Sequence, residues 1–97
     1  MCTRQECITR LSDAAPFIRK EFGVKSLCLF GSMARGDNQE GSDVDVFVDM
    51  PPKAFKILAL KDYLQGILGT AVDVVRRSRN LDLFMVNEIV RDGIFIF

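Results

Sequence analysis

The chain has 97 residues, of which 48% are apolar and 27% are charged, and its thirteen basic and thirteen acidic side chains cancel. This composition predicts one domain, residues 1–97, with a packed core, and it excludes an intrinsically disordered chain. The absence of net charge argues against direct binding to nucleic acid. The N-terminus lacks a signal-peptide pattern, and Lys56 and Lys61 interrupt the longest apolar run, so we expect a cytoplasmic protein without membrane spans.

The residue types that are missing limit the possible chemistry. The sequence has no histidine, so a Ser-His-Asp or Cys-His catalytic arrangement cannot be built, and zinc sites lose their commonest ligand. It also lacks the G-x-x-x-x-G-K-[ST] phosphate loop and the G-x-G-x-x-G dinucleotide fingerprint. Three widely spaced cysteines, an odd number, favour reduced thiols over a disulfide framework. Catalysis by this chain is therefore expected to depend on carboxylates.

The first part of the chain predicts a helix followed by a strand. Residues 3–22 repeat apolar side chains at three- and four-residue spacing, which is typical of an amphipathic helix with one buried face. Pro16 is expected to kink or restart this helix, and Gly23 to end it. The apolar run over 24–30 predicts a short buried strand.

A brief turn and a second strand come next. Ser32 is predicted to be the N-cap of a helical turn over 33–35, and a loop over 37–41 follows it. Residues 42–49 alternate strictly between valine and acidic or aromatic side chains, which predicts a half-buried strand. Its buried side would carry Val44, Val46 and Val48, and its open side Asp43, Asp45, Phe47 and Asp49.

The remainder of the chain alternates helices and strands. We predict a helix over 53–68, a strand over 71–75, a basic loop over 76–80, a helix over 81–91 and a strand over 94–97. This order of elements predicts an α/β (α+β) fold, in which a sheet carries helices mainly on one face.

Two aspartates, Asp43 and Asp45, lie two positions apart on the predicted strand over 42–49. Alternate residues of a strand project from the same face with their Cα atoms about 6.5 to 7 Å apart, so these carboxylates can converge on a shared cation. Asp73, flanked by valines on a neighbouring strand, is the candidate for a third ligand. Magnesium prefers such oxygen ligands, and two magnesium ions can activate an attacking oxygen and neutralise a leaving phosphate. Asp73 can also accept the proton of an attacking hydroxyl.

The glycine turn before these acids is suited to holding phosphate. Gly31 lets the backbone approach a phosphate closely, and Ser32 adds a hydroxyl beside the free N–H groups of a helix start. Arg35 would add positive charge to the grip on a triphosphate. Ser32 as a helix cap and Arg35 as a charge at a helix C-terminus also have purely structural explanations.

For the other polar or terminal residues, the sequence gives weaker evidence of a function. Asp49 shares the open face of the second strand, but we assign it to a loop. The apolar end over 94–97 predicts a sheet strand whose edge could also receive a partner. Three arginines after the third strand could contact phosphate, an acidic partner or RNA, and a solvated basic loop explains them equally well. These arginines are Arg76, Arg77 and Arg79.

These segments resemble the polymerase-β-like nucleotidyltransferase superfamily, whose signature is Gly-Ser, about ten residues, and Asp-x-Asp. Ten residues separate Gly31-Ser32 from Asp43-x-Asp45. The longer stretches FGSMARG (30–36) and SDVDV (42–46) resemble those of minimal nucleotidyltransferases, the MntA-type antitoxins. The resemblance covers nearly the whole chain and implies a nucleotidyltransferase fold with a mixed four-stranded sheet. It also implies that Gly31 and Ser32 hold the triphosphate and that three acids are catalytic metal ligands, namely Asp43, Asp45 and Asp73.

The same resemblance implies an activity and a partner. We expect transfer of AMP from ATP, with two magnesium ions, to a tyrosine of a partner HEPN toxin, in a type VII-like toxin–antitoxin module. Two alternatives stay open. The chain could neutralise its partner by occlusion without catalysis, although all three acids are present. It could also act on a small molecule, although its length leaves little room for an acceptor-selecting domain.

Overall fold

The computed structural model describes residues 3–37, 43–78 and 81–97, and these form alternating helices and strands. Their order confirms the predicted α+β fold. The elements are α1 (Arg4–Phe22), β1 (Ser26–Phe30), α2 (Gly31–Arg35), β2 (Val44–Asp49), α3 (Ala54–Leu68), β3 (Val72–Arg76), α4 (Leu83–Asp92) and β4 (Ile94–Phe95).

The strands form a mixed four-stranded sheet in the order β3-β2-β1-β4, as predicted. β1 is antiparallel to both β2 and β4, whereas β2 and β3 run parallel. β4 is shorter than the predicted strand over 94–97, but backbone pairing continues beyond it. The N–H of Ile96 donates to the carbonyl of Leu27 at 2.8 Å, and the N–H of Leu27 donates to the carbonyl of Phe97 at 3.0 Å.

The main core lies between one face of the sheet and the pair of helices α1 and α3. The alternation of β2 explains this arrangement, because its valines fill the core side while Asp45 and Phe47 point to the other face. The predicted buried face of β2 is therefore confirmed. The fully buried side chains include Leu11 and Ile18 of α1, Leu27 and Leu29 of β1, Val44, Val46 and Val48 of β2, and Leu60 and Leu64 of α3.

α4 packs on the opposite face of the sheet. It supplies Ile89 and Met85 to a second, smaller apolar cluster. The helices thus lie mainly on one face, as predicted, with α4 covering part of the other. The remaining members of this cluster are Cys28, Phe30, Phe47 and Val75.

α1 has clear start and stop signals. The hydroxyl of Thr3 accepts the N–H of Glu6 at 3.1 Å, and the carboxylate of Glu6 accepts the N–H of Thr3 at 3.2 Å, which completes a capping box. Gly23 ends the helix with a φ of 68°. The helix continues through Pro16, so the expected restart there is wrong. Pro16 lacks one backbone N–H donor, but the other hydrogen bonds of this 19-residue helix keep the chain helical at that position.

Two residues assigned to loops from the sequence belong to strands instead. Asp49 is the last residue of β2 and pairs with Ser26, and Arg76 is the last residue of β3 and lies opposite Val48. Pairing with β1 extends β2 to Asp49, and pairing with β2 extends β3 to Arg76. Arg76 Nε also donates to the carbonyl of Met50 at 2.9 Å, which fixes its side chain.

The cysteines differ in their chemistry. Cys28 is free and buried, and burial raises the pKa of its thiol to about 11. Cys7 is disulfide-bonded, so the expectation of reduced thiols is wrong for that residue. An odd number of cysteines is compatible with one pair and one free thiol. Cys2 lies outside the described residues.

None of the helices in the described segments is long and apolar enough to span a membrane.

Candidate active site

The register of two parallel strands brings the predicted acids to one end of the sheet. Asp45 of β2 is the Cα partner of Asp73 on β3, and adjacent strands lie about 4.8 Å apart. Asp43 comes immediately before β2. Asp45 is half-buried, whereas Asp43 and Asp73 are exposed. The site is therefore open to substrates on one side and anchored in the sheet on the other.

Asp45 carries the clearest electrostatic sign of a shared site. The pKa of its carboxyl is raised to about 6, chiefly by burial and then by the negative charges of Asp73, Asp43 and Glu88, while Arg35 lowers it. Both causes disfavour the ionised form, because the charge is removed from water and surrounded by like charges. The fold thus concentrates negative charge that a divalent cation would neutralise.

The acids are of the type that binds magnesium, but their side chains are not already arranged as a set of metal ligands. Among the described residues, no group of three acidic or cysteine side chains is already arranged to hold a metal ion. Carboxylates of like charge repel one another, so convergence of their oxygens requires a neutralising cation. The donor set consists of hard oxygens at the ends of paired strands, which is what magnesium prefers. The uncompensated charge around Asp45 therefore fits a bound divalent cation.

The glycine turn lies directly against the acids. Gly31 has a φ of 75°, and a Cβ at this position would collide with the carboxylate of Asp45. The backbone of α2 can approach Asp45 this closely because Gly31 has no side chain. β1 leads straight into this turn, and Phe30 at its end is the Cα partner of Asp45. The predicted phosphate turn and the predicted metal ligands are thus next to each other.

The predicted N-cap role of Ser32 is wrong. α2 begins at Gly31, its N-cap residue is Phe30, and no side chain of the described residues caps it. The helix therefore begins two residues earlier than the sequence predicts, at Gly31, which has a positive φ. Ser32 therefore lies in the first turn, where its half-buried side chain is not used as a cap.

Arg35 lies at the site but is already in contact with carboxylates. Its Nε donates to Asp37 at 3.1 Å, and its Nη1 donates to Glu88 at 3.4 Å and lies 3.9 Å from Asp92. These acids raise the pKa of the guanidinium, and the hydrogen bond to Asp37 is the largest cause. Arg35 is charged and close enough to Asp45 to lower the pKa of that carboxyl.

Glu88 and Asp92 are site residues that the sequence reasoning missed. They lie four positions apart on α4 and so share one face of that helix. The acidic pair at this spacing was visible in the sequence. Its position beside Arg35 and Asp45 depends on α4 crossing the open face of the sheet, which no local pattern predicts.

The basic residues at the end of β3 lie away from this site. Arg76 and Arg77 are three and four residues beyond Asp73, the residue that pairs with Asp45, or about 10 and 13 Å along the strand. Arg77 Nη1 lies 3.7 Å from the carboxylate of Asp49, and both line a shallow cleft there. Among the described residues, Arg76 contacts the Met50 carbonyl and Arg77 contacts Asp49, at this end of the sheet and not at the three acids. Arg79 lies outside the described residues.

Comparisons with known proteins agree with this geometry. A family model described as a nucleotidyltransferase domain matches residues 11–96. The chain is 34% identical over 98 residues to the protein adenylyltransferase MntA of Thermococcus cleftensis, which covers 99% of this chain and 98% of that protein.

Solved structures show the same fold. One assigned as a minimal nucleotidyltransferase has a TM-score of 0.77 and 28% sequence identity, over 96% of this chain and 95% of that one. A chain from the complex of tri-AMPylated Shewanella oneidensis HEPN toxin with MNT antitoxin has a TM-score of 0.64 and 17% identity, over 93% of this chain and 71% of that one. At 17% identity, the similarity to this toxin–antitoxin chain concerns the fold alone.

Proposed function

This chain belongs to the nucleotidyltransferase domain family, and we propose that it transfers AMP from ATP to a tyrosine of a partner HEPN toxin in a magnesium-dependent reaction. The observation that carries this proposal is the pairing of Asp45 with Asp73 directly beside the Gly31 turn. A carboxylate cluster facing a close backbone turn suits the reacting phosphate of a nucleotide and its cations. The cytoplasmic location expected from the sequence and the single-domain organisation remain parts of the proposal.

The binding roles follow from position. Gly31 brings the backbone close to the triphosphate, while Ser32 and Arg35 donate to its oxygens. Asp43, Asp45 and Asp73 would hold two magnesium ions. Magnesium, when bound there, supplies activation of the attacking oxygen and neutralisation of the leaving phosphate.

Asp73 is proposed to accept the proton of the acceptor hydroxyl, because it is exposed and adjacent to the half-buried Asp45. As the tyrosine oxygen bonds to the α-phosphorus, the bond from that phosphorus to the β-phosphate oxygen breaks. Pyrophosphate leaves, AMP stays on the tyrosine, and the hydroxyl proton moves to Asp73.

The choice of a protein acceptor rests on the relatives. The Thermococcus cleftensis relative is described as a protein adenylyltransferase, and the Shewanella oneidensis complex contains a tri-AMPylated HEPN toxin. The proposal extends this acceptor class to the present chain.

The decisive experiment measures AMP on the partner. The chain is co-expressed with a candidate partner HEPN toxin, and mass spectrometry of the toxin is expected to show AMP on a tyrosine. The purified pair with labelled ATP and magnesium should label the toxin, and chelation should stop the labelling. The double variant Asp43→Asn with Asp45→Asn should abolish it, whereas Asp62→Asn, an exposed acid on α3, should not.

The same variants separate catalysis from occlusion. If the Asp43→Asn, Asp45→Asn chain still neutralises the toxin without adding AMP, occlusion is the mechanism and the enzymatic proposal fails. If a small molecule is labelled and the toxin is not, the acceptor is a small molecule, and the proposed protein acceptor is wrong.

A further inference from the structure

Arg35 connects two elements that are far apart in the sequence. It ends α2, which begins at the Gly31 turn, and its guanidinium contacts Glu88 and Asp92 on α4. α4 lies on the open face of the sheet and packs there through Ile89. The ion pairs therefore join the turn of the active site to the helix that borders it.

We propose that Glu88, assisted by Asp92, is a positioning residue that holds the Arg35 guanidinium in the orientation needed to bind the triphosphate. The inference rests on the proposed function, because that function places a triphosphate at this site. It assigns a role to α4 that neither the Gly-Ser turn nor the aspartates supply.

The geometry of the guanidinium supports this role. Arginine has five N–H donors in a planar fork, so fixing two of its nitrogens also fixes the third. Within the described segments, the contacts of Arg35 use Nε for Asp37 and Nη1 for Glu88 and Asp92. The Nη2 group is left to donate to a phosphate oxygen. Holding a long side chain before the ligand arrives reduces the conformational entropy lost on binding.

Glu88 is the partner best placed to do this. The side chains of Glu88 and Asp92 are 22% and 18% exposed, against 61% for Asp37, so water and salt screen their attraction to Arg35 less. Asp92 also pairs with Arg91 at 2.8 Å, whereas Glu88 lies nearer to Arg35. Ile89, the next residue, packs into the second apolar cluster, and this packing fixes the position of Glu88 on α4.

A competing effect predicts the opposite result. Glu88 is negative and close enough to Asp45 to influence that carboxyl, so it also repels a triphosphate. If repulsion outweighed positioning, removal of the charge would tighten ATP binding. The sign of the effect therefore separates the two roles.

The test is a double-mutant cycle on ATP binding in the presence of magnesium. The dissociation constant of ATP is measured for the wild-type chain, Glu88→Gln, Arg35→Gln and the double variant. We expect Glu88→Gln to weaken binding about two- to fivefold, the range for a partly exposed ion pair. In the Arg35→Gln background it should cause no further weakening. Asp62→Asn, which removes the same charge from the exposed side of α3, should bind ATP as the wild type does.

The inference is overturned if Glu88→Gln tightens binding, leaves it unchanged, or weakens it equally in both backgrounds. Thermal unfolding establishes that each variant is folded. If Glu88→Gln does not fold, Glu88→Asp takes its place in the cycle. The shorter side chain keeps the negative charge but moves it away from Arg35, so this variant should weaken ATP binding only when Arg35 is present. A wild-type chain that binds no ATP overturns both this inference and the proposed function. AMP transfer without coupling between the two residues overturns this inference alone.

Discussion

Gly31 is the residue at which backbone conformation and active-site geometry meet. Its φ of 75° is unfavourable for residues with a side chain, and the Asp45 carboxylate occupies the space of a Cβ. Two separate costs therefore fall on any substitution there. One is backbone strain, and the other is displacement of a proposed metal ligand.

Gly31→Ala is predicted to destabilise the chain and to reduce AMP transfer at least about tenfold, since shifting a reacting group by about 1 Å has effects of that size or more. Gly36→Ala is the matched control, because Gly36 has a φ of 81° but nothing within 4 Å of its missing Cβ. Backbone strain should cost each variant about 1 kcal/mol of unfolding free energy in urea titrations, and Gly31→Ala should lose more, because its Cβ also collides with Asp45. Equal activity of the two variants would show that contact with Asp45 is unimportant.

Asp45, a proposed metal ligand, lowers the stability of the folded chain at neutral pH. Its pKa is about 6 in the folded chain, above the ordinary value of 3.8, so the folded state holds the proton more tightly than the unfolded state. Stability is therefore not penalised below about pH 4. The penalty grows as the pH rises from about 4 to about 6, and it is complete above that range.

Asp45→Asn is therefore predicted to stabilise the metal-free chain at pH 7.5. The shift of about two units sets an upper bound of about 3 kcal/mol, and partial exposure reduces the expected gain to about 1 to 2 kcal/mol. Urea unfolding at pH 4 should show a smaller difference than at pH 7.5. Asp62→Asn serves as the exposed control. A variant less stable than the wild type at pH 7.5 would contradict this account of the site.

At the scale of elements, α4 is the helix that completes the site. Asp82 caps its start by accepting the N–H of Phe84 at 3.0 Å, and Ile89 anchors it to the open face of the sheet. Glu88 is adjacent to that anchor. The packing of one apolar side chain thus determines where an acidic side chain meets Arg35.

Ile89→Ala is predicted to lower the unfolding free energy by about 2 to 3 kcal/mol, because Ile89 is only 8% exposed and its truncation leaves a cavity. It should also weaken ATP binding, since Glu88 loses its support. Val90→Ala, at the next position and 80% exposed, should change stability by no more than about 0.5 kcal/mol. Similar effects of the two substitutions in urea unfolding would contradict the packing described for α4.

At the scale of the whole molecule, the site depends on elements from both ends of the chain. β1 and its turn come from the first third, β2 from the middle, and β3 and α4 from the last third. Ligand binding at such a site stabilises the folded state as a unit, because none of these contacts persists in the unfolded chain.

ATP with magnesium is accordingly predicted to raise the unfolding free energy by about 2.7 kcal/mol at a ligand concentration one hundred times the dissociation constant. Replacing magnesium by a chelator should remove most of this gain. The double variant Asp43→Asn with Asp45→Asn should start more stable without ligand and gain nothing from it. Thermal unfolding monitored by circular dichroism measures all of these states, and an equal gain in the double variant would exclude these acids as ligands of the bound metal.

The sequence by itself determined the elements and the chemical character of the site. The period of two in β2 and the apolar spacing in α1 are local properties, and the structure confirms the buried faces that they predict. The spacing of Gly31, Asp43 and Asp45 along the chain is likewise a property of the sequence, whereas the contact of Gly31 with Asp45 requires the antiparallel register of β1 and β2.

Tertiary structure decided everything that depends on how distant segments meet. The pairing of Asp45 with Asp73 requires the parallel register of β2 and β3. The contact of Arg35 with Glu88 requires α4 to cross the open face, and the position of Arg76 at the far end of β3 removes it from the site. These placements arise from burial of apolar surface between segments far apart in the chain, which no local periodicity encodes.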